Sequence, residues 1–221
     1  MEQIIEVAGH DSGRGAQCLS LTGIHSTNQH DRPTKLASDT DGIAMPSTPA
    51  ELFAFLDRLD IPYSTVSHPP LFTVEQSREL RGTIPGGHTK NLFLKDKRGA
   101  YCLVVASEDA AIDMKDLHRR LGAKGRFSFG SADALRELLG VEPGSVTPFA
   151  AINDVAGKVA IVLDAAMLAH EVLNYHPLVN TMTTSISRAG LMTFLKACGH
   201  EPRIETASDA PYLPSPACRG G

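Results

Sequence analysis

A lysine follows two glycines at the point where an apolar strand is predicted to begin. The run Gly86-Gly87-His88 leads to Lys90 and Asn91 and then into Leu92-Phe93-Leu94. Glycine lets the backbone approach a ligand closely, and Lys90 supplies a cation at the start of the strand. The alternative is a flexible loop with a solvated lysine, since most lysines are exposed to water. Lys90 is therefore a candidate anion-binding residue that needs further support.

A second polar segment is the turn Gly144-Ser145-Val146-Thr147-Pro148-Phe149. Such a turn can present backbone N–H groups and the Ser145 hydroxyl to an ester carbonyl or a ribose. An ordinary loop before a strand would have the same composition. The segment is therefore a candidate binding turn and is not decisive by itself.

The third segment begins with His176-Pro177 and continues through Asn180, Thr183 and Thr184. Pro177 restricts the backbone of His176, and the polar side chains provide a dense set of donors and acceptors. If a strand began at Asn180, Asn180 and Thr184 would share one face and Thr183 would lie on the other. The alternative is a strand rich in threonine because threonine suits strands, which leaves the His-Pro pair and Asn180 unexplained.

Bulk composition excludes several classes of protein. The 221 residues suffice for one well-buried domain, and the longest apolar stretches, such as residues 159–163, are too short to span a bilayer. The first residues lack a basic start followed by an apolar run, so we expect no secretory signal, no membrane partner and a cytoplasmic location. A net charge of -4 argues against a broad nucleic-acid-binding surface and against a DNA partner, but permits an RNA substrate held at few phosphates.

Familiar catalytic and cofactor motifs are missing from the sequence. There is no GxSxG elbow, no GxxxxGK[ST] loop and no GxGxxG fingerprint, so no nucleotide cofactor is expected. The four cysteines form no CxxC pair and the nine histidines form no HxxxH pair, so we expect free thiols and no metal. Cys102 lies within an apolar strand, where an inert buried thiol is the better interpretation.

The chain divides into three parts by composition. Residues 1–44 are rich in Ser, Thr, Gly, His and Asp and show no sustained apolar period, which predicts a disordered extension. A folded domain is predicted over residues 45–206, and a flexible tail with several prolines over residues 207–221.

Within residues 45–206, strands and helices interleave irregularly, which favours an α+β fold with a mixed sheet. The domain begins at Thr48-Pro49-Ala50-Glu51, a helix start with a capping box and proline at the first position. Helices are further predicted over residues 74–80, 114–121, 132–139 and 189–198, and strands over residues 63–67, 89–95, 100–106, 149–152, 159–163 and 181–187.

Four stretches in this order resemble one known family, the YbaK and prolyl-tRNA-synthetase editing domains, and within it the Ala-tRNA(Pro) deacylases of the ProX or PrdX type. The resemblance covers about residues 48–205. The stretches are His68-Pro69-Pro70-Leu71-Phe72-Thr73-Val74-Glu75; Thr89-Lys90-Asn91-Leu92-Phe93-Leu94-Lys95-Asp96; Gly144 to Phe149 with Asn153-Asp154; and His176-Pro177-Leu178 with Asn180 and Thr183-Thr184.

The resemblance implies a single α+β domain with a mixed, curved sheet around a small pocket. It also implies hydrolysis of the ester between alanine and the 3′-terminal adenosine of a proline tRNA, without a cofactor or a metal. Lys90 matches the family's functional lysine, expected to fix the terminal nucleotide or its phosphate. The other site residues that it implies are Asn91, Gly144, Ser145 and His176, with Thr73, Asn180 and Thr183 as weaker matches.

The group that activates the attacking water is left open between the substrate and the protein. The resemblance assigns activation of water to the ribose 2′-hydroxyl of the substrate, so no protein base is required. His176 is the alternative base because an imidazole titrates near neutral pH, although the adjoining Pro177 also suits a structural turn. Selectivity for alanine is expected from a pocket that admits a methyl group and excludes the proline ring.

Alternative functions are a Cys-tRNA(Pro) deacylase of the YbaK kind and a non-catalytic module that binds a tRNA end or a synthetase. The runs after Lys90 and Gly144 look more like the alanine-specific type. The expected partner is the alanine-bearing acceptor end of proline tRNA, with prolyl-tRNA synthetase as a second candidate.

Residues 1–44 are predicted to be dispensable, because their composition does not favour a packed structure. A chain that begins at Met45 should therefore deacylate its substrate at the full rate. The measurement is the deacylation rate of the shortened and the 221-residue chains, and a substantial loss in the shortened chain would refute the prediction.

Overall fold

The computed structural model describes residues 45–70 and 84–208. Within these ranges the chain forms four α-helices, two short 3-10 helices and eight strands. The α-helices are α1 (Pro49–Arg58), α2 (Leu117–Arg120), α3 (Ala132–Leu139) and α4 (Arg188–Ala197), and the 3-10 helices are Pro148–Ile152 and Met167–Ala169. The strands are β1 (Tyr63–Ser67), β2 (Gly87–Lys95), β3 (Tyr101–Ser107), β4 (Ser128–Phe129), β5 (Val159–Asp164), β6 (Val172–Tyr175), β7 (Met182–Ser187) and β8 (Arg203–Glu205).

Local signals explain where the helices begin and end. Thr48 and Glu51 form the predicted capping box, in which the Thr48 hydroxyl accepts from the Glu51 amide at 3.3 Å and the Glu51 carboxylate accepts from the Thr48 amide at 2.7 Å. Ser131 caps α3, and Gly140 ends it in the left-handed conformation with φ of 63°. These three helix boundaries are confirmed.

The eight strands form one mixed sheet in the order β1-β7-β6-β2-β3-β5-β8, with β4 paired to β2. The predicted hairpin of β2 and β3 is antiparallel, whereas β6 with β2, β3 with β5 and β5 with β8 are parallel. The expected α+β fold with a mixed sheet is therefore confirmed.

Apolar side chains cover both faces of the sheet along β2, β3 and β5. The larger core packs α1, α3 and α4 against one face and includes Phe93, Phe149 and Phe194. A smaller core on the other face includes Leu94, Val104 and Leu117. Because neighbouring residues of a strand face opposite sides, Lys90 lies on the side of the smaller core and Asn91 on the side of the larger one.

One predicted strand is wrong. Residues 149–152 form part of the 3-10 helix Pro148–Ile152. Pro148 occupies its first turn, where the missing N–H costs nothing, and the Thr147 hydroxyl accepts from the Phe149 amide at 3.3 Å. A short apolar run does not distinguish a buried strand from a buried helical turn, which explains the error.

Other boundaries differ from prediction. The helix predicted over residues 114–121 is limited to α2, and the strand predicted over residues 181–187 begins at Met182, so Asn180 precedes it and does not share a strand face with Thr184. Strands β4, β6 and β8 were not predicted. The helix predicted over residues 74–80 lies outside the described residues.

The described chain continues into the segment predicted as a tail. Ala207 and Ser208 are buried, and their amides donate to the Asp164 carboxylate at 2.8 and 3.1 Å. The first two residues of that segment therefore pack against the end of β5.

Phe149 should be among the residues that contribute most to stability, because its ring is fully buried and packs edge-on against Tyr175 and Phe194. The distances between the ring centroids are 5.7 Å and 5.3 Å. Phe149→Ala is expected to lower the free energy of unfolding by about 3 to 5 kcal/mol. Urea denaturation followed by circular dichroism measures the change. Val155→Ala, at a side chain that is 88% exposed, is the control and should change stability by less than about 0.5 kcal/mol.

Candidate active site

Strand β2 changes its pairing partner around Lys90 and Asn91, two of the predicted site residues. Gly87 and His88 pair in parallel with Leu173 and Asn174 of β6, and on the same side Leu94 and Lys95 pair with β4. Among the described residues, no strand pairs with β2 on that side between these two contacts. We call this opening, along residues 90–92, the strand gap.

His176 follows shortly after the last residue of β6 that pairs with β2. The parallel pairing ends at His88 and Asn174, so Lys90 and His176 each lie two residues beyond the last paired residue of their segment. The strands part here, since β6 ends at Tyr175 and Pro177 turns the chain away. Two predicted site residues from distant segments thus border one opening.

The Lys90 side chain is partly buried on the side of the smaller core, and its ammonium donates to the carbonyl of Ala110. Burial lowers the pKa of Lys90, while the carboxylates of Asp109, Glu108 and Asp164 act in the opposite direction. Lys90 is therefore a half-buried cation at the carboxyl end of β3.

Asn91 lies next to Lys90 but on the opposite face of β2. Its side-chain oxygen is buried and has no hydrogen-bond partner among the described residues. A buried acceptor without a donor is uncommon in a folded protein. Lys90 and Asn91 therefore provide a cation and a buried acceptor on opposite faces of β2, at the residues that border the strand gap.

His176 is held in one tautomer by the backbone. Its Nδ1 lies 3.0 Å from the carbonyl oxygen of Met182, and because a carbonyl only accepts, Nδ1 carries the hydrogen and Nε2 has the lone pair. Burial lowers the pKa of His176, and the neighbouring His68 acts in the same direction. A neutral imidazole with an acceptor nitrogen is the form needed to accept a proton or a hydrogen bond.

The turn after His176 contains strained backbone. Leu178 adopts a positive φ of 68°, and its amide donates to the His176 carbonyl at 3.0 Å across Pro177. A buried residue other than glycine in this conformation costs of order 1 kcal/mol or more and persists only where the surroundings enforce it. Such strain is concentrated at functional sites.

His68 adds a second imidazole that was not singled out as a site residue. Its Nε2 lies 3.0 Å from the Thr183 hydroxyl, its Nδ1 lies 2.9 Å from the Pro69 carbonyl, and its ring centroid is 6.3 Å from that of His176. The carbonyl fixes the hydrogen on Nδ1, so Thr183 donates to Nε2. The available signal was the His-Pro-Pro run that ends β1.

The binding turn (residues 144–149) approaches the loop between β6 and β7, which comprises residues 176–181 and which we call the His176 loop. Gly144 has φ of +87°, and a Cβ placed there would lie 3.8 Å from the side-chain nitrogen of Asn180. The structure therefore brings together two segments that are separated by more than 30 residues in the sequence.

Two backbone amides of the binding turn have acceptors close by in the chain. The Ser145 amide donates to the Glu142 carbonyl at 2.9 Å, and the Phe149 amide donates to the Thr147 hydroxyl at 3.3 Å. The Ser145 side chain is buried. That the turn presents its backbone amides and the Ser145 hydroxyl to an ester carbonyl stays a prediction.

Thr73, a predicted site residue, lies outside the described residues. In residues 45–70 and 84–208, no three His, Cys, Asp or Glu side chains are grouped to hold a metal ion, and no helix is long and apolar enough to cross a membrane. Burial raises the pKa of the Cys102 and Cys198 thiols to about 12, which keeps both protonated at neutral pH.

Asp164, the last residue of β5, was not predicted as a site residue. Its carboxylate is fully buried, one oxygen accepts from Ala207 and Ser208, and the other has no hydrogen-bond partner among the described residues. An acidic residue at the end of an apolar strand carries no such signal in the sequence, because its partners are more than 40 residues away.

The fold is α+β with a mixed sheet, and a lysine and a neutral histidine lie beside one opening of that sheet. These features define a candidate hydrolytic site. The family model described as the aminoacyl-tRNA editing domain matches residues 68–194, more than half of the chain. The chain therefore belongs to the aminoacyl-tRNA editing domain family.

Relatives of known name agree with this assignment. The chain is 39% identical over 159 residues to mouse prolyl-tRNA synthetase associated domain-containing protein 1, covering 70% of this chain and 94% of that protein. It is 34% identical over 150 residues to the prolyl-tRNA editing protein ProX of Acetoanaerobium sticklandii, covering 67% of this chain and 91% of that protein.

A solved structure confirms the fold. A crystal structure of a candidate trans-editing enzyme for prolyl tRNA synthetase superposes with a TM-score of 0.56 at 17% identity, covering 74% of this chain and 99% of that one.

His176 should titrate below the ordinary histidine value of 6.5, because burial disfavours its charged form. The unfolded chain then binds a proton that the folded protein does not, so the free energy of unfolding should fall as the pH drops below 6.5. Imidazole resonances followed by NMR between pH 4 and 8, assigned with His176→Gln, measure the midpoint. A midpoint at or above 6.5 would contradict the geometry described here.

Proposed function

We propose that this protein is a trans-editing deacylase that hydrolyses alanine from mischarged Ala-tRNA(Pro). The observation that carries the proposal is the family match over residues 68–194, which spans the strand gap, the binding turn and the His176 loop. The relative named as a prolyl-tRNA editing protein supports proline tRNA as the carrier.

The proposed reaction is ester hydrolysis. Water adds to the ester carbonyl, the bond to the 3′ oxygen of the terminal adenosine breaks, and the products are alanine and a tRNA with a free 3′-hydroxyl. An aminoacyl ester is already activated, so positioning the water and stabilising the developing oxyanion account for much of the catalysis.

Lys90 is assigned to the terminal nucleotide or its phosphate. A half-buried ammonium has lost part of its hydration, so an anion that replaces the Ala110 carbonyl gains more than it would at an exposed lysine. Asn91, on the other face of β2, provides the buried acceptor that the same ligand would satisfy from within the strand gap.

His176 is assigned to the ribose or to the attacking water. Its acceptor Nε2 can take a hydrogen bond from the 2′-hydroxyl, in which case the substrate itself orients the water. The same nitrogen can instead act as the base, since burial keeps the imidazole neutral. Both assignments require the tautomer that the Met182 carbonyl enforces.

The remaining predicted residues are assigned to the amino-acid end of the substrate. Gly144 approaches Asn180 of the His176 loop, Ser145 follows Gly144 in the chain, and the Thr183 hydroxyl is hydrogen-bonded to His68. A pocket closed by these groups would admit the methyl group of alanine and exclude the proline ring by its size. The name of the mouse relative supports prolyl-tRNA synthetase as the partner whose errors are corrected.

The experiment that tests the function is deacylation of Ala-tRNA(Pro), Cys-tRNA(Pro) and Pro-tRNA(Pro) by the 221-residue protein. Rapid hydrolysis of the alanyl ester alone is the expected result. A preference for the cysteinyl ester would assign the protein to the YbaK-type activity with the same chemistry. Binding of tRNA without hydrolysis of any ester would identify a non-catalytic module instead.

Lys90→Ala should reduce kcat/KM for Ala-tRNA(Pro) by at least about 100-fold, because a positioned charge at the reacting end is lost. The matched control is Lys97→Ala, which removes an exposed lysine from the turn between β2 and β3. Initial rates of both variants are compared with those of the parent protein. Equal rates for Lys90→Ala and the parent would remove Lys90 from the site.

A further inference from the structure

The position of Lys90 depends on a row of residues that crosses three strands. Lys90 of β2 pairs directly with Ala106 of β3. The preceding residue of β3, Val105, pairs in parallel with Leu163 of β5. The next residues of the two strands are Ala106 and Asp164, which therefore lie side by side in the same register. Residues that are neighbours across strands share a face of the sheet, so Lys90, Ala106 and Asp164 lie in one row on the side of the smaller core.

The middle residue of the row leaves space between the two charges. Ala106 is fully buried and contributes only a methyl group. Neighbouring strands are about 4.8 Å apart, so the Cα atoms at the two ends of the row are roughly 10 Å apart. Within this row, only the methyl group of Ala106 therefore stands between the side chains of Lys90 and Asp164.

Asp164 is an incompletely satisfied carboxylate. One oxygen accepts from the Ala207 amide, the Ser208 amide and the Ser208 hydroxyl, at 2.8, 3.1 and 3.3 Å. The other oxygen is buried and has no hydrogen-bond partner among the described residues. A fully buried carboxylate normally requires a compensating positive charge, and Lys90 is a cation whose electrostatic environment includes Asp164.

We propose that Asp164 is a positioning residue for Lys90: anchored by Ala207 and Ser208, its buried carboxylate holds the Lys90 ammonium charged and directed to the carboxyl ends of β3 and β5. The inference rests on the role that the proposed function gives to Lys90. It adds a residue outside the substrate site, and it links that site to the place where the chain after β8 is fastened.

Two other carboxylates act on Lys90 and have to be separated from Asp164. Asp109 is exposed and Glu108 is partly buried in the turn after β3, and both favour the charged ammonium. Water and salt screen an exposed carboxylate, whereas a fully buried one keeps its effect at high ionic strength. Salt therefore distinguishes the contribution of Asp164 from that of Asp109.

The decisive variant is Asp164→Asn. The asparagine oxygen can still accept from Ala207 and Ser208, while the amide nitrogen replaces the unpartnered oxygen and removes the charge. The Lys90 ammonium, followed by NMR in the free protein at low and at 0.5 M salt (a concentration about three times physiological), should show an acid dissociation constant raised about tenfold at both. Asp109→Asn, the matched control, should show a smaller change at 0.5 M salt than at low salt.

Activity gives a second readout. Asp164→Asn should lower kcat/KM for Ala-tRNA(Pro) by about tenfold, and the decline of activity at high pH should begin at a lower pH than in the parent. Val155→Ala should leave both properties unchanged, since Val155 is an exposed residue outside the site. An Asp164→Asn protein that folds and keeps the parent's Lys90 titration would overturn the proposal and leave Asp164 as an anchor for residues 207–208.

A reciprocal variant covers the case in which Asp164→Asn does not fold. Lys90→Met leaves the buried carboxylate without its cation, so the free energy of unfolding should be lower than in Lys97→Met at pH 7. Equal stability of the two variants at pH 7 would overturn the proposal. These titrations and unfolding measurements need no substrate, so they stand even if the proposed hydrolysis fails.

Discussion

The candidate site depends on the change of partners along β2. Its first two residues pair in parallel with β6, and its remainder pairs in an antiparallel manner with β3. A strand that loses one neighbour before it meets the next exposes a short length of backbone and both of its faces. Here that length carries Lys90 and Asn91, and Pro177 keeps β6 from closing the opening.

The electrostatics of the site follow from partial burial. Burial lowers the pKa of both Lys90 and His176, but the consequences differ. His176 becomes a neutral acceptor, with its tautomer chosen by the Met182 carbonyl, whereas Lys90 is surrounded by carboxylates that favour its charge. A site with one retained cation and one neutral acceptor suits an anionic substrate whose ester is opened by water.

Features encoded by neighbouring residues were predictable from the sequence. The capping box of Thr48 and Glu51, the end of α3 at Gly140 and the hairpin of β2 and β3 all depend on contacts within a few residues. The four motif stretches also led to the family, because their order along the chain is itself specific.

Features that depend on distant partners were not predictable. The 3-10 helix Pro148–Ile152 looks like a strand in composition, and its true form depends on the packing around Phe149 against distant residues. The surroundings of Asp164 are set by the register of β3 with β5 and by residues 207–208, and neither β3 nor residues 207–208 are adjacent to it in the sequence. His68 meets Thr183 across 115 residues of sequence. The catalytic and binding roles of Lys90, Asn91 and His176 stay predictions.

The most direct test is NMR with a stable substrate analogue, 3′-alanylamido-3′-deoxyadenosine, in which an amide replaces the labile ester. We expect saturable chemical-shift changes in the backbone amides of Lys90, Asn91 and Ser145 and in the His176 imidazole, with weaker binding of the prolyl analogue. Saturable shifts confined to residues away from the strand gap, or equal binding of the two analogues, would contradict this expectation.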